Sequence, residues 1–273
     1  MSTLTSAISG VPRTMLITLR GRADEQSASK PIIEDPLAVE WYKSLPRDEE
    51  LDKLYNPISQ KSLAVRAYHY DNIVKRHIAN NSQPIVVELG SGLSTRYYRV
   101  GKEVDFWFDL DLPLVIELRQ QLETETQQHQ LIGCSVMDFS WMGTIPNVEP
   151  ENILFIAEGL VMYFDVAEVQ ELFDQMCLRF PGATLAVDVL NEVNKVGKRL
   201  GKRNADKLAK LGAPFKWFSK GEKEVAAMGL SIINTCCFYR DYRQHWSLLV
   251  RLLSWLTPLG DIYLIFETKL DNK

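Results

Sequence analysis

The sequence predicts an α/β fold built around a parallel sheet, and three observations carry that expectation. From Ile85 onward, short apolar runs alternate with segments of helical periodicity, as β-α-β units do when helices cover a parallel sheet. The first of those runs ends in a glycine-bearing bend, Gly90-Ser91-Gly92, where a strand must turn sharply. The composition is that of a folded domain: 273 residues, 46% hydrophobic and 24% charged. Those values exclude a disordered chain, a collagen-like rod and a coiled coil. At this length one α/β domain over residues 1–273, with additions, is the expectation.

The elements follow in order. Before residue 84 the pattern is helical and interrupted at Pro36, Pro46 and Pro57, and Leu63, Ala67, Tyr70, Val74 and Ile78 recur at the spacing of one helix face. Residues 1–80 therefore read as a helical cap. Residues 84–190 form the core, with strands expected at Ile85–Leu89, Val104–Asp109, Leu131–Val136, Ile153–Ala157 and Thr184–Val189. A helix begins at Pro113, where proline suits the first helical position, and places Leu114, Val115, Leu118 and Leu122 on one face. A second begins at Asp165, with Glu168 completing a capping box and Val166, Val169, Leu172, Phe173, Met176 and Phe180 as its apolar stripe. Residues 191–220 read as an insertion; its cluster Lys198, Arg199, Lys202 and Arg203 is expected to be a solvated face. Residues 221–273 return to the sheet, with strands at Ser231–Phe238 and Asp261–Thr268 and a helix over Tyr242–Leu256.

Charge and cysteine usage narrow the function. Thirty-one basic against 35 acidic residues leave a net charge of -4, the wrong balance for a nucleic-acid binder. Cys134, Cys177, Cys236 and Cys237 form no C-x-x-C pair, and the four histidines show no H-E-x-x-H spacing, so neither a metal site nor a disulfide framework is expected. No secretory signal pattern and no run of 18 apolar residues is present, which predicts a cytoplasmic protein without a membrane partner.

The chemistry concentrates in Val86-Val87-Glu88-Leu89-Gly90-Ser91-Gly92. Gly90 and Gly92 let a ligand approach the backbone, and about 20 residues on, Asp109 and Asp111 end the next strand, where a carboxylate accepts hydrogen bonds from a ribose. A dinucleotide site needs a third glycine, which Gly90-Ser91-Gly92-Leu93-Ser94-Thr95 lacks. Glu88 beside the loop repels a pyrophosphate and attracts an ammonium group. S-adenosylmethionine combines that ammonium with a ribose and an adenine. After the third strand, Asp138 and Phe139 offer an acid and an aromatic ring to the adenine, with a helix cap as the plainer role for Asp138. Glu158 stands at the end of the fourth strand, where α/β ligand sites lie. Arg66 offers its fork to an amino-acid carboxylate, against the alternative of an ordinary salt bridge.

These segments together resemble the leucine carboxyl methyltransferase family, including the bacterial tetracenomycin-type polyketide O-methyltransferases. Arg22-Ala23-Asp24-Glu25 and Asp35-Pro36-Leu37-Ala38 resemble its N-terminal elements, and Val87 to Arg96 is similar to its glycine loop. Asp109-Leu110-Asp111-Leu112-Pro113 is similar to its acidic segment, and Glu158-Gly159-Leu160-Val161-Met162-Tyr163 to its E-G-L-x-M-Y box. The resemblance implies a Rossmann-like class I methyltransferase with a seven-stranded, mostly parallel sheet and a helical cap over the substrate. It also implies roles: Arg66 on the methionine carboxylate, Gly90 on the cofactor backbone, Asp111 or Asp109 on the ribose, Asp138 and Phe139 on the adenine, Glu158 on the methionyl end. Ser94 departs from the aspartate usual at its position.

The implied activity is methyl transfer to a carboxylate or hydroxyl of a small acceptor. Tyr163 is a candidate for orienting the acceptor oxygen, with simple packing its alternative. His69 and His245 are the candidates if a base is needed. Trp41, Tyr42, Phe215, Trp217 and Phe218 read either as an aromatic acceptor pocket or as the cap's own core. Competing functions are carboxyl methylation of a protein C-terminus, a nicotinamide-dependent oxidoreductase and a non-catalytic regulator.

Overall fold

The computed structural model describes residues 8–192, 206–256 and 261–272. Seven strands form one sheet: β1 Ile85–Leu89, β2 Phe106–Asp111, β3 His129–Gly133, β4 Ile153–Ala157, β5 Thr184–Leu190, β6 Leu230–Cys237 and β7 Tyr263–Leu270. Their order is β3-β2-β1-β4-β5-β7-β6. The first five are mutually parallel, and β7 runs antiparallel to both β5 and β6. A mostly parallel seven-stranded sheet is what the resemblance implied. Chain order reverses between β1 and β4, and in such sheets the crevice at the strands' carboxyl ends is where ligands bind.

Both faces of the central strands are buried, which explains their unbroken apolar runs. Ile85, Val87, Leu89, Ile153, Phe155, Leu185 and Val187 point to one face, while Val86, Leu154, Ile156 and Ala186 point to the other. The first face is covered by the helix Val166–Arg179, whose Val169, Leu172, Phe173, Met176 and Cys177 are buried. Its capping box forms, with Glu168 accepting the Asp165 N–H at 2.7 Å, but Val166 lies outside the stripe and is exposed. The second face is covered by the long helix Pro57–Asn80 through Val65, Tyr70, Ile73 and Val74.

The helices Met15–Glu25 and Pro36–Ser44 have a separate apolar core, in which Leu19, Ala38 and Trp41 meet Leu93 of the glycine loop and Val115 and Leu118 of the helix Pro113–Arg119. Of these, then, the helices Met15–Glu25 and Pro36–Ser44 form a layer over the glycine loop, and the long helix Pro57–Asn80 packs on the sheet.

Several boundaries differ from expectation for local reasons. β2 starts two residues late because Gly101 to Val104 closes a turn, with the Val104 N–H donating to Gly101 O. β3 lies at the sheet edge and is half-buried, so its apolar pattern left the register open. The expected helix Tyr242–Leu256 is divided: a single 3-10 turn covers Arg243–His245 and the α-helix begins at Leu248. Lys198, Arg199, Lys202 and Arg203 lie outside the described residues.

Candidate active site

A cavity of about 460 Å³ opens at the carboxyl ends of β1, β2 and β4, beneath the N-terminal helices. Arg66, Glu88, Gly90, Gly92, Asp111, Glu158 and Tyr163 all line it. Sequence reasoning named these seven from segments spread over almost a hundred positions, and the fold brings them to one wall.

The glycine loop supplies backbone. Gly90 (φ 64°) and Gly92 (φ 52°) both adopt the left-handed conformation that a Cβ disfavours. A Cβ on Gly90 would lie 2.7 Å from Leu160 Cδ1, so the loop also packs against the turn after β4. Gly92 N–H donates to Asp111 Oδ2 at 2.7 Å, and Leu112 N–H donates to Oδ1 at 2.7 Å. Each Asp111 oxygen thus has one fixed backbone donor and retains acceptor capacity toward the cavity. Burial pushes the Asp111 carboxyl up, opposed by those two hydrogen bonds.

Opposite Asp111 is a network of ions. Arg66 Nε lies 2.8 Å from Glu158 Oε1, and its Nη1 donates to Tyr263 Oη at 2.7 Å. Arg96 donates from Nη1 to Glu88 and from Nη2 to Glu158, and from Nε to Asp71 at 2.9 Å. Burial alone would raise the Glu158 carboxyl, but Arg66 and Arg96 outweigh it and hold the group down to about 2. Asp188, fully buried on β5, accepts the Gly159 N–H at 2.6 Å and the Tyr263 hydroxyl. Gly159 (φ 65°) is left-handed as well, and a Cβ there would stand a tight 3.1 Å from Arg66 Nη1.

The cavity also has an apolar lining. Val11, Pro12, Met15, Leu160, Phe164 and Phe215 contribute to it, with Tyr163 and Thr14 as polar members. Tyr163 Oη donates to Thr14 Oγ1 at 3.5 Å, and its ring stands 5.2 Å from that of Phe215. Burial raises the Tyr163 phenol, which keeps it a neutral donor.

Three expected residues do not reach this space. Asp109 is 1% exposed and lies 2.7 Å from both Arg119 Nη2 and His129 Nε2; burial opposes its ionisation, but Arg119 and His129 hold the carboxyl low. Its task is to anchor Arg119, which in turn donates to Ser91 Oγ at 2.8 Å and Ser94 O at 3.2 Å and so supports the glycine loop from below. Between the two aspartates, Asp111 alone faces the cavity. Asp138 is exposed and caps the turn Phe139–Gly143 by accepting the Ser140 N–H at 3.2 Å, while Phe139 packs against the sheet core. Cys134, Ser135 and Val136 form the cavity wall at this strand end instead. Neither His69 nor His245 lines the cavity, and His69 Nδ1 lies 2.7 Å from the Tyr242 hydroxyl. Of the five aromatics, Phe215 lines the cavity, whereas Trp41 and Trp217 are buried in the cores.

Sequence reasoning missed roles for Arg96, Asp188, Arg22 and Tyr263. One signal was legible: Asp188 interrupts the apolar run Leu185-Ala186-Val187-Asp188-Val189-Leu190, and a charge buried in a central strand requires partners. Arg96 gave none, because its partners come from β1, the turn after β4 and the helix Pro57–Asn80.

Asp109, Glu123 and His129 bring ligand atoms within 4.8 Å of one another, and Arg119 Nε lies 2.5 Å from Glu123 Oε1 in the same cluster.

A family model, leucine carboxyl methyltransferase, matches residues 15–177. The chain is 29% identical over 188 residues to tetracenomycin polyketide synthesis O-methyltransferase TcmP of Streptomyces glaucescens, covering 68% of each. It is 25% identical over 189 residues to the S-adenosyl-L-methionine-dependent methyltransferase dpfgK of Gibberella zeae, covering 63% of this chain and 62% of that one. Among solved structures, a chain from Thermobifida fusca assigned to the methyltransferases superposes with a TM-score of 0.63 at 14% identity, covering 98% of this chain and 97% of its own length, which is a likeness of fold. Since its model spans more than half of the residues, including the glycine loop and the Glu158 box, the chain belongs to the leucine carboxyl methyltransferase family.

Proposed function

We propose that this chain is an S-adenosylmethionine-dependent O-methyltransferase that methylates a carboxylate or hydroxyl of a small aromatic or polyketide-like acceptor. The observation that carries the reading is one cavity whose wall combines the glycine loop, Arg66, Glu88, Asp111 and Glu158 with apolar side chains. Family membership and the methyltransferase activities of the two relatives support the methyl transfer.

The residues fit the cofactor. Asp111, with both oxygens already oriented by backbone donors, suits a ribose diol. Glu88 Oε2 is buried without a hydrogen-bond partner, and an ammonium group would satisfy it. Arg66, whose Nε and Nη1 already face Glu158 and Tyr263, offers a carboxylate its positive charge and its Nη2. Gly90 permits close approach of the backbone. The adenine falls to the wall Cys134–Val136, with Asp138 and Phe139 behind it. When bound, S-adenosylmethionine supplies a methyl group on a positively charged sulfur.

The chain's own contribution is alignment and exclusion of water, the main requirements of an in-line displacement. Met15, Leu160 and Phe215 give the cavity apolar surface that excludes water, and Tyr163 offers a neutral O–H to an acceptor oxygen. No histidine lines the cavity, Glu158 is committed to Arg66 and Arg96, and Tyr163 is held protonated. Among the described residues, then, no histidine is placed to take a proton from the acceptor, which favours an acceptor that arrives ionised. A carboxylate is ionised from about pH 5 upward, whereas a phenol near pKa 10 is scarcely ionised at neutrality.

The test is transfer of labelled methyl from S-adenosylmethionine to a panel of aromatic carboxylic acids and phenols, followed by alkali. Alkali releases the label from a methyl ester and leaves it on an ether. For a carboxylic acid kcat/KM is expected to be flat from about pH 5 to 8. A phenol's should rise about tenfold per pH unit over that range. No transfer to any member of either class would reject the proposal.

A further inference from the structure

The two N-terminal motifs, Arg22 to Glu25 and Asp35 to Ala38, lie outside the strand ends that form the floor of the cavity. Asp35 is nevertheless fully buried, and four groups converge on it. Its Oδ2 accepts from Thr95 Oγ1 at 2.6 Å, Arg99 Nη1 at 2.7 Å and Arg22 Nε at 3.1 Å, and its Oδ1 caps the helix Pro36–Ser44 by accepting the Ala38 N–H at 3.1 Å. Arg22, from the first helix, also donates from Nη2 to Leu93 O at 2.5 Å. The segment between the motifs is shaped to deliver this carboxylate. Glu25 Oε1 accepts the Ile32 N–H at 2.9 Å, and Gln26 bonds Ile33 O and the Asp35 N–H.

We propose that Asp35 is a positioning residue for the cofactor: through Thr95, Arg22 and Arg99 it fixes the upper side of the glycine loop, as Arg119 fixes the lower. Leu93 and Thr95 are the residues that follow Gly92, whose N–H orients Asp111. Arg99 carries the same restraint to Asp71, bonding it from Nε at 2.8 Å and Nη2 at 2.9 Å, and Asp71 in turn holds Arg96, the partner of Glu88 and Glu158. One carboxylate from the N-terminal layer thus restrains both the ribose end and the ionic end. The first two helices belong to the cofactor site as well as covering the acceptor. The identity of the cofactor rests on the function proposed above; the restraint on the loop does not.

Asp35→Asn tests this well, because asparagine keeps the helix cap and loses the charge. Thr95→Val removes one partner with little change of shape. Asp52→Asn is the control, since Asp52 pairs with Arg20 within the N-terminal layer, remote from the loop. Two measurements are made on each full-length variant: amide hydrogen exchange across residues 90–96 without ligand, and calorimetric binding of S-adenosylhomocysteine. Asp35→Asn and Thr95→Val are expected to speed exchange in the loop and weaken binding about tenfold, the equivalent of one charge-assisted hydrogen bond. Asp52→Asn should leave both unchanged. Equal effects from Asp52→Asn, or unchanged loop exchange in both Asp35→Asn and Thr95→Val, would overturn the proposal. Absence of binding by the wild type with loop exchange responding as expected would refute the cofactor and leave the loop restraint standing.

Discussion

Glu158 shows how far one side chain's chemistry depends on distant partners. It was legible as a strand-end acid in a recognisable box, but its state is set by Arg66, 92 positions earlier, and by Arg96. The folded chain holds its carboxyl at about 2, below the ordinary value of 4.5. A depressed carboxylate contributes stability that is complete above the unfolded value and disappears as pH falls toward the folded one. The wild type should therefore lose stability between about pH 4.5 and 2, and Glu158→Gln should lose less over that window. Urea unfolding at a series of pH values measures both slopes, and parallel curves would remove Glu158 from the account. Asp109 and Asp111 teach the complementary lesson. Alternation along β2 turns two acids two places apart toward the same face, and only the partners decide which of them meets a ligand. Arg119 and His129 enclose the first, while backbone donors present the second to the cavity.

At the scale of elements, legibility followed burial. β1 and β4 match their expected spans residue for residue because strands covered on both faces read as uninterrupted apolar runs. β3 has helix cover without a second neighbouring strand, and its expected span was displaced by two residues at its start. The helix Val166–Arg179 was legible from its cap, which depends on residues three apart and on nothing tertiary. Removing that cap with Asp165→Ala should cost about 0.5–2 kcal/mol. In a domain this size, Tm falls by about 2–4 °C for each kcal/mol lost. Calorimetric melting measures it, and S-adenosylhomocysteine affinity should stay within twofold, since Asp165 is not among the residues that line the cavity. A large loss of affinity with unchanged Tm would contradict this division between support and site. The turn Phe139–Gly143 marks the limit of the method. Asp138 lies at the right strand end for an adenine ligand, yet a short polar side chain before a turn finds its nearest donor in its own backbone, here the Ser140 N–H.

For the whole molecule, the sheet and its order place three strand ends and an N-terminal layer around one cavity, and the division of labour follows from that geometry. The sequence exposed the floor of the site, because glycines and acids at strand ends have a local pattern. It concealed the buried ionic lattice of Asp35, Asp71, Arg96, Arg99 and Asp188, whose members come from the N-cap of the helix Pro36–Ser44, the long helix, the helix Arg96–Val100 after the glycine loop, and β5. Such contacts join positions up to 122 apart and leave no periodic trace. We propose that S-adenosylmethionine occupies this cavity with its ribose on Asp111. Calorimetric titration of S-adenosylhomocysteine into the wild type and Asp111→Ala tests it most directly. The expected wild-type Kd is on the order of micromolar, weakened about a hundredfold or more in the variant with the loss of two hydrogen bonds to a charged acceptor. No binding by the wild type, or equal affinity in Asp111→Ala, would contradict it.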